Sequence, residues 1–147
     1  MAIPDYKYSE TIPVQNWNIS DDTLTIAGYL CQKATCHFRG RDFIAWFASD
    51  IPINNGPWKF GGLPGLIMKV NDIDEKFIYE CVRIERQDFK IYMPDFSKHG
   101  KADRIKLMKL ITEAHEDLSK AAGLVEVETK MPISIKSKYP YRSLELE

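Results

Sequence analysis

Residues 29–47 have the sequence YLCQKATCHFRGRDFIAWF, which predicts a β-hairpin. Alternate apolar residues of its first arm share one face of a strand: Leu30, Ala34, Cys36 and Phe38. Arg39-Gly40-Arg41-Asp42 forms the turn, in which Gly40 can adopt a positive φ. The second arm, residues 43–47, is apolar enough to be covered on both faces. The hairpin therefore predicts an antiparallel sheet at the centre of the fold.

Segments on both sides of this hairpin predict further elements. Strands are expected at residues 23–26, 66–70, 77–84 and 125–128. One helix is predicted from Ala102 to Ala122, because apolar residues recur there at the i, i+3, i+4, i+7 spacing of an amphipathic helix. The fold class is then α+β, mainly antiparallel β-sheet with one long amphipathic helix packed on it.

The length and charge of the chain restrict its class. Its 147 residues suffice for one domain, with residues 1–22 as an extended N-terminal segment and 131–147 as an extended tail. Twenty Lys and Arg against twenty-one Asp and Glu give a net charge of -1, which does not favour nucleic acid as a partner. No segment reaches the ~18–20 apolar residues of a membrane span. Residues 1–8 lack a basic start and an apolar segment, so we expect no signal peptide in this chain.

The three cysteines leave two alternatives open. Cys31 and Cys36 lie in one predicted strand with side chains on opposite faces, so they cannot pair with each other. A disulfide would therefore join Cys81 to Cys31 or to Cys36. Alternatively, all three thiols are buried and act as small hydrophobic side chains.

The segment GPWKFGGLPGLI at residues 56–67 is the most informative loop. Glycines and prolines are expected to set its backbone: Gly56, Pro57, Gly61, Gly62, Pro64 and Gly65. The loop could be a buried lid that seals one end of the sheet. It could also be a groove in which Trp58 and Phe60 clamp an apolar or peptide ligand.

Motifs of known catalytic or metal chemistry are missing from the sequence. His37, His99 and His115 are scattered over a strand, a loop and a helix, without the spacing of a zinc site. No serine lies in a G-x-S-x-G motif. Arg39 and Arg41 could recognise a carboxylate or phosphate, or simply keep the hairpin end in water. We therefore predict no catalytic residue, no metal and no cofactor, and we take the candidate binding residues to be Trp58, Lys59, Phe60, Leu63, Trp46, Arg39 and Arg41.

Residues 62–67 spell GLPGLI, and the surrounding segments extend the likeness to a known family. These segments are residues 26–34, 38–41, 45–47, 50–53 and 56–61, together with the closing residues 144–147. The sequence resembles the GLPGLI family, also called Porph_ging, as a short or N-terminally truncated member. The resemblance implies a protein of the bacterial cell envelope, periplasmic or associated with the outer membrane, with no established activity. It also implies an open sheet edge that could form a homodimer.

Three functional hypotheses follow from these observations. The leading one is a non-catalytic binding or accessory protein that engages a protein or peptide partner through its sheet and its aromatic loop. The first alternative is a carrier of lipid or another hydrophobic ligand, with a cavity lined by Leu30, Phe38, Trp46, Ile67 and Ile78. The second is a small envelope hydrolase, which needs a nucleophile and a base in one polar pocket.

Overall fold

A computed structural model of the protein describes residues 6–85, 87–88 and 90–116. The strand predicted at 125–128 and the tail predicted at 131–147 lie outside these residues. The chain divides into two compact units, Met1–Thr11 with Lys90–Ser143 and Ile12–Phe89 with Leu144–Glu147. The single domain predicted from the sequence stays a prediction.

The second of these units contains a five-stranded sheet. Its strands are β2 (Asn18–Ile26), β3 (Tyr29–Phe38), β4 (Arg41–Ala48), β5 (Leu66–Asp72) and β6 (Ile78–Glu80). They are arranged in sequence order, and each pairs antiparallel with its neighbour. The predicted antiparallel sheet is thereby confirmed, and the described part of the chain is mainly β.

The hairpin of β3 and β4 turns at Arg39 and Gly40. Their φ angles are 52° and 74°, which is the type I′ combination that matches the twist of the two strands. Register pairs run along the hairpin from Phe38 opposite Arg41 to Gln32 opposite Phe47. The positive φ of Gly40 is as predicted, but the turn consists of Arg39 and Gly40 alone, because Arg41 and Asp42 already pair in β4.

One face of β4 is buried and the other, with Ile44 and Trp46, is half-buried, whereas its apolar sequence predicts cover on both faces. One face contributes to a first core cluster: Ala34, Cys36, Phe38, Phe43, Ala45, Phe47, Phe60, Leu63, Ile67 and Val70. The other face contributes Ala48 to a second cluster with Ile26, Cys31 and Met68, against which Trp46 packs. Leu30, expected on the face of Ala34 and Phe38, is 61% exposed, because it lies near the end of the β2–β3 hairpin, opposite Thr25 of the exposed β2.

The other unit contains β1 (Tyr6–Lys7), β7 (Gly100–Lys101) and α1 (Arg104–Glu116). β1 and β7 pair in parallel, and the amide of Ala102 donates to the carbonyl of Lys7 at 2.9 Å. The Arg104 guanidinium also contacts the Glu10 carboxylate at 3.2 Å. These bonds connect the N-terminal segment to the start of the helix.

The long amphipathic helix predicted from Ala102 to Ala122 is not supported. Helix α1 has 13 residues and begins at Arg104, because the Asp103 carboxylate accepts a hydrogen bond from the Lys106 amide at 3.1 Å and caps the helix. Ile105 is 57% exposed, and Leu107 and Ile111 of the predicted apolar stripe are half-buried. Residues 117–122 lie outside the described residues, and packing of the helix on the sheet stays a prediction.

Replacing Ala27 by asparagine is expected to stabilise the protein. Ala27 and Gly28 form the β2–β3 turn with φ angles of 48° and 84°, and asparagine tolerates this region better than alanine does. We expect a gain of about 0.5–1 kcal/mol in the free energy of unfolding, measured by urea denaturation. Ala27→Val is the matched control, since a β-branched residue should lower stability there. A lower urea midpoint for Ala27→Asn than for the parent would contradict this account of the turn.

Candidate functional site

We call the group of Phe38, Arg39, Trp58 and Lys59 the Trp58 ledge; Phe38 is buried in it, and the other three side chains reach the surface. The Phe38 and Trp58 rings meet edge to face, with centroids 6.1 Å apart. The Arg39 guanidinium lies 5.7 Å from the centre of the Phe38 ring, and the Lys59 ammonium lies 5.2 Å from the centre of the Trp58 ring. Such cation–aromatic contacts are attractive and keep the charges beside the rings. Each cation of the ledge therefore lies beside its own ring, Arg39 beside Phe38 and Lys59 beside Trp58.

The base of the ledge is fixed by a buried aromatic side chain. Phe60 is 2% exposed, and its ring contacts Trp58 at 5.5 Å, Phe38 at 5.9 Å and Phe43 at 4.8 Å between centroids. Trp58, in contrast, is 40% exposed. Tight packing below and exposure above make Trp58 the aromatic residue of this loop that a partner can reach.

The backbone of the ledge is strained at two positions. Four non-glycine residues among those described have a positive φ: Ala27, Arg39, Trp58 and Glu75. Two of them, Arg39 at 52° and Trp58 at 54°, belong to the ledge. A non-glycine residue in this region costs about 1–2 kcal/mol, and such strain clusters at functional sites. The strain therefore suggests that the Arg39 and Trp58 side chains serve a purpose other than stability.

The N-terminal segment holds the loop from outside the sheet. The Gln15 amide donates to the Lys59 carbonyl at 2.7 Å and accepts from the Gly61 amide at 3.1 Å. The Trp17 indole donates to the Gly61 carbonyl at 2.7 Å, and the Asn54 side chain accepts from the Gly62 amide. The sequence gives no signal for these contacts, because Gln15 and Trp17 lie more than forty residues from their partners.

Three glycines of the loop have steric roles that support its interpretation as a lid. Gly62 has a φ of 88°, a region that L-residues rarely adopt. A Cβ at Gly56 would lie 2.9 Å from the Ile67 side chain, and a Cβ at Gly65 would lie 2.7 Å from the carbonyl carbon of Ala48. Leu63, between the glycines, is 1% exposed. The loop thus seals the first core cluster with its buried residues.

The structure separates the candidate binding residues into four places. Arg39, Trp58 and Lys59 lie together on the ledge, while Phe60 and Leu63 are buried beneath it. The predicted clamp between Trp58 and Phe60 is not formed, because the two rings contact each other. The remaining two residues lie elsewhere, and each has its own partner. Trp46 packs against the second cluster with Lys33 5.9 Å from its ring, and Arg41 pairs with Asp72 at 3.5 Å.

The pair of Arg41 and Asp72 joins two turns of the sheet. The Asp72 carboxylate is 3% exposed and also accepts a hydrogen bond from the Phe77 amide at 2.9 Å. The Ile73 amide donates to the Asp42 carbonyl at 3.0 Å, which ties the β3–β4 hairpin to the β5–β6 turn. A polar cleft of about 230 Å³ opens at this junction, lined by Gly40, Arg41, Asp42, Asp72, Ile73 and Asp74. Asp42 in turn contacts His37 at 2.7 Å, so both carboxylates have structural partners.

All three cysteines are free thiols in the structure. Cys36 belongs to the first cluster, whereas Cys31 and Cys81 belong to the second, so Cys36 is separated from Cys81 by the sheet. Burial, with a smaller contribution from the Asp42 charge, raises the pKa of the Cys36 thiol to about 12. Burial also raises the pKa of Cys31. Such thiols carry little thiolate at neutral pH and are poor nucleophiles. A disulfide from Cys81 stays a prediction.

The residues predicted to line a carrier's cavity do not share one place, and the edge strand predicted to dimerise is β2. Among the residues proposed to line a cavity, Phe38 and Ile67 are in the first cluster, Trp46 packs on the second, and Leu30 and Ile78 are exposed. The edge strand β2 is exposed along most of its length. Its pairing shifts between Ile19 and Thr23, and charged residues at such an irregularity disfavour strand addition. Dimerisation through an open edge stays a prediction.

Within the described part of the chain, no group of three or more His, Cys, Asp or Glu side chains is arranged to hold a metal ion. The one described helix is too short and too polar to span a membrane.

Comparisons with known proteins give few matches. A search of curated proteins finds no match. Two solved structures, PNGF-II in the C2 and P21 space groups, are similar at 18% identity with TM-scores of 0.47 and 0.42. They cover 76% and 69% of this chain, which spans only 21% and 19% of theirs. The family resemblance of the sequence is confirmed by a partial match, since residues 39–69 match the family described as "Protein of unknown function (Porph_ging)".

Proposed function

We propose that this chain is a non-catalytic binding or accessory protein of the bacterial cell envelope. It acts in the periplasm or at the outer membrane, and it engages a protein or peptide partner through the Trp58 ledge. The observation that supports this proposal is the half-exposed Trp58, which has a positive φ and the Lys59 ammonium beside its ring. Tryptophan and arginine are the residues most often found at the energetic centre of protein interfaces.

A hydrophobic-ligand carrier has weaker support from one apolar cleft. This cleft of about 300 Å³ is lined by Gly56, Pro57, Leu66, Ile67, Met68, Tyr79, Glu80 and Cys81. Its volume is at the lower limit for small-molecule sites, and it suits one side chain or a short acyl segment better than a whole lipid. The hydrolase alternative gains no support from the polar cleft at Arg41, because Asp72 and Asp42 are engaged in structural contacts.

Trp58→Gly separates binding from stability. Trp58 is the second residue of the turn in which the Phe60 amide donates to the Pro57 carbonyl at 3.1 Å, and glycine is favoured at a turn position with positive φ. Relief of about 1–2 kcal/mol of strain should offset much of the lost ring contact. We therefore expect Trp58→Gly to change the free energy of unfolding by less than about 1.5 kcal/mol. The same variant should no longer bind the partner.

The partner is detected by photo-crosslinking in bacterial cells that express the protein. A photoreactive amino acid replaces Trp58 in one variant and the exposed Ile73, outside the ledge, in the control. The photoreactive residue is an aromatic one, which keeps a ring in place of the indole, so we expect one discrete adduct from position 58 and none from position 73. The envelope fraction should contain this adduct. Equal adducts at both positions, or none at position 58, would refute binding through the ledge.

A further inference from the structure

We propose that Asn55 is a site of spontaneous modification, where the Asn55–Gly56 peptide rearranges through a cyclic imide to isoaspartate or aspartate. Water is the only reagent that the reaction consumes. The inference goes beyond the proposed function, because it concerns a chemical change in the loop itself and needs no partner. It is supported by the exposure of Asn55, by the glycine that follows it and by the contact between the two residues.

The contact between Asn55 and Gly56 places the reacting groups next to each other. The Gly56 amide donates to the Asn55 Oδ1 at 2.9 Å. The Asn55 Cγ is one C=O bond of about 1.2 Å from that oxygen, so it lies within about 4 Å of the Gly56 nitrogen. When this nitrogen loses its proton, the electron pair left behind is directed at the side-chain amide. The fold has thereby met part of the entropy cost of closing the ring.

The atoms of the reaction balance without an oxidant or a reductant. The Gly56 nitrogen forms a bond to the Asn55 Cγ, and the bond from Cγ to Nδ2 breaks. The Nδ2 group leaves as ammonia with the proton that the Gly56 nitrogen has lost. Water then opens the imide at one of its two carbonyl carbons. Opening at the α-carbonyl gives isoaspartate, and opening at the side-chain carbonyl gives aspartate.

The residue that follows each asparagine distinguishes Asn55 from the others. Among the asparagines of the chain, only Asn55 precedes a glycine, which has no Cβ to hinder the approach of its nitrogen. Asn54 is followed by another asparagine, and its Oδ1 accepts from the Gly62 amide. Asn71 is only 7% exposed, and its side chain donates to a backbone carbonyl. Reaction is therefore expected at Asn55 first.

Isoaspartate at this position would loosen the loop from β5. The Asn55 carbonyl accepts from the Ile67 amide at 3.0 Å, and a Cβ at Gly56 would lie 2.9 Å from the Ile67 Cβ. The isoaspartyl linkage adds one carbon to the backbone between these two contacts and turns the accepting carbonyl into a free carboxylate. Because Ile67 is a core residue, the change should destabilise the fold. Aspartate in the normal linkage keeps the backbone as it is.

The test is a timed incubation of the full chain at several pH values, both folded and unfolded in urea. Peptide mapping by mass spectrometry follows the mass gain of an amide that becomes an acid, and an isoaspartyl-specific methyltransferase counts the isoaspartate. We expect conversion at Asn55 in the folded protein. Its rate should rise in proportion to the hydroxide concentration, because the Gly56 nitrogen must lose its proton before it attacks.

Two variants provide the controls. Asn55→Gln places the side-chain amide one carbon further out, which disfavours ring closure, so conversion should be at least about tenfold slower. Asn55→Asp has the charge of the product without the extra backbone carbon. We expect the isoaspartate form to have a lower urea midpoint than the parent, whereas Asn55→Asp should stay close to it, as exposed substitutions usually do.

Three outcomes would overturn the proposal. If the folded chain does not convert while the urea-unfolded chain does, the contact protects Asn55 instead of promoting its reaction. Conversion of Asn54 or of Asn55→Gln at the rate of Asn55 would show that the contact with Gly56 is not the cause. An unchanged urea midpoint in the isoaspartate form would refute the effect on the loop. None of these results bears on the partner, which the crosslinking experiment at position 58 tests separately.

Discussion

Replacing Asp72 by alanine is expected to lower the free energy of unfolding by about 3–5 kcal/mol, the range for breaking one side of a buried ion pair. The Asp72 carboxylate is 3% exposed and the Arg41 side chain 13%. Without the carboxylate, the guanidinium would keep its charge in a mostly buried position, and the Phe77 amide would lose its acceptor. The β3–β4 hairpin would also lose one of its ties to the β5–β6 turn. Urea denaturation followed by circular dichroism measures the loss.

Two variants separate the contributions at Asp72. Asp72→Asn retains an oxygen that can accept from the Phe77 amide, so it should cost less than alanine. Asp22→Ala is the control for an ordinary ion pair, because Asp22 contacts Lys33 at 2.9 Å but is 60% exposed. That variant should cost much less than Asp72→Ala, because an exposed ion pair contributes little to stability. If Asp72→Ala costs no more than Asp22→Ala, the junction does not stabilise the sheet as argued.

The hairpin of β3 and β4 was predictable because its determinants are local. Alternation along residues 29–38 sets the faces of β3, and Arg39-Gly40 sets the turn. The apolar run in β4 predicts cover on both faces, and the structure buries one face in the first cluster and half-buries the other against the second. The local sequence pattern suffices to predict this hairpin because β3 and β4 are consecutive in the sequence and pair with each other.

Elements that depend on distant contacts were predicted less well. The apolar segment Phe77 to Ile84 predicts a strand of eight residues, but only Ile78–Glu80 is assigned to β6. Val82, two residues beyond this strand, is 92% exposed. Pairing requires a neighbour with free backbone groups, which an apolar pattern alone does not specify.

The candidate site was predictable in composition but not in arrangement. Glycines and aromatics marked the loop, and the hairpin arginines were candidates for ligand binding. That Arg39 lies beside Phe38 near Trp58, whereas Arg41 pairs with Asp72, depends on packing between the hairpin and the loop. The sequence predicts that Phe60 contacts a ligand, but the structure buries it in the core. The sequence does not distinguish these roles, since aromatic residues occur both in cores and in binding sites.

The last glycine of the GLPGLI segment is expected to be the least replaceable residue of the loop. A Cβ at Gly65 would overlap the Ala48 carbonyl oxygen and lie 2.7 Å from its carbon and 3.0 Å from the Ser49 Cα. These atoms are backbone at the end of β4, where Ala48 pairs with Leu66, so relief requires breaking that pairing. We expect Gly65→Ala to cost about 3 kcal/mol or more, measured by urea denaturation.

Gly61→Ala is the matched control in the same loop, because the nearest atom to its Cβ would be the Asn54 Oδ1 at 3.6 Å, an ordinary contact. It should change stability by less than about 1 kcal/mol. A large difference between the two variants would indicate that Gly65 is required by close approach of backbone to backbone rather than by loop flexibility. Gly65 lies between Leu63 and Ile67, which are both core residues. The backbone at Gly65 then positions the loop over the core and, through Phe60, the Trp58 ledge. Equal costs would mean that the end of β4 yields to a methyl group, and that this account of the motif is wrong.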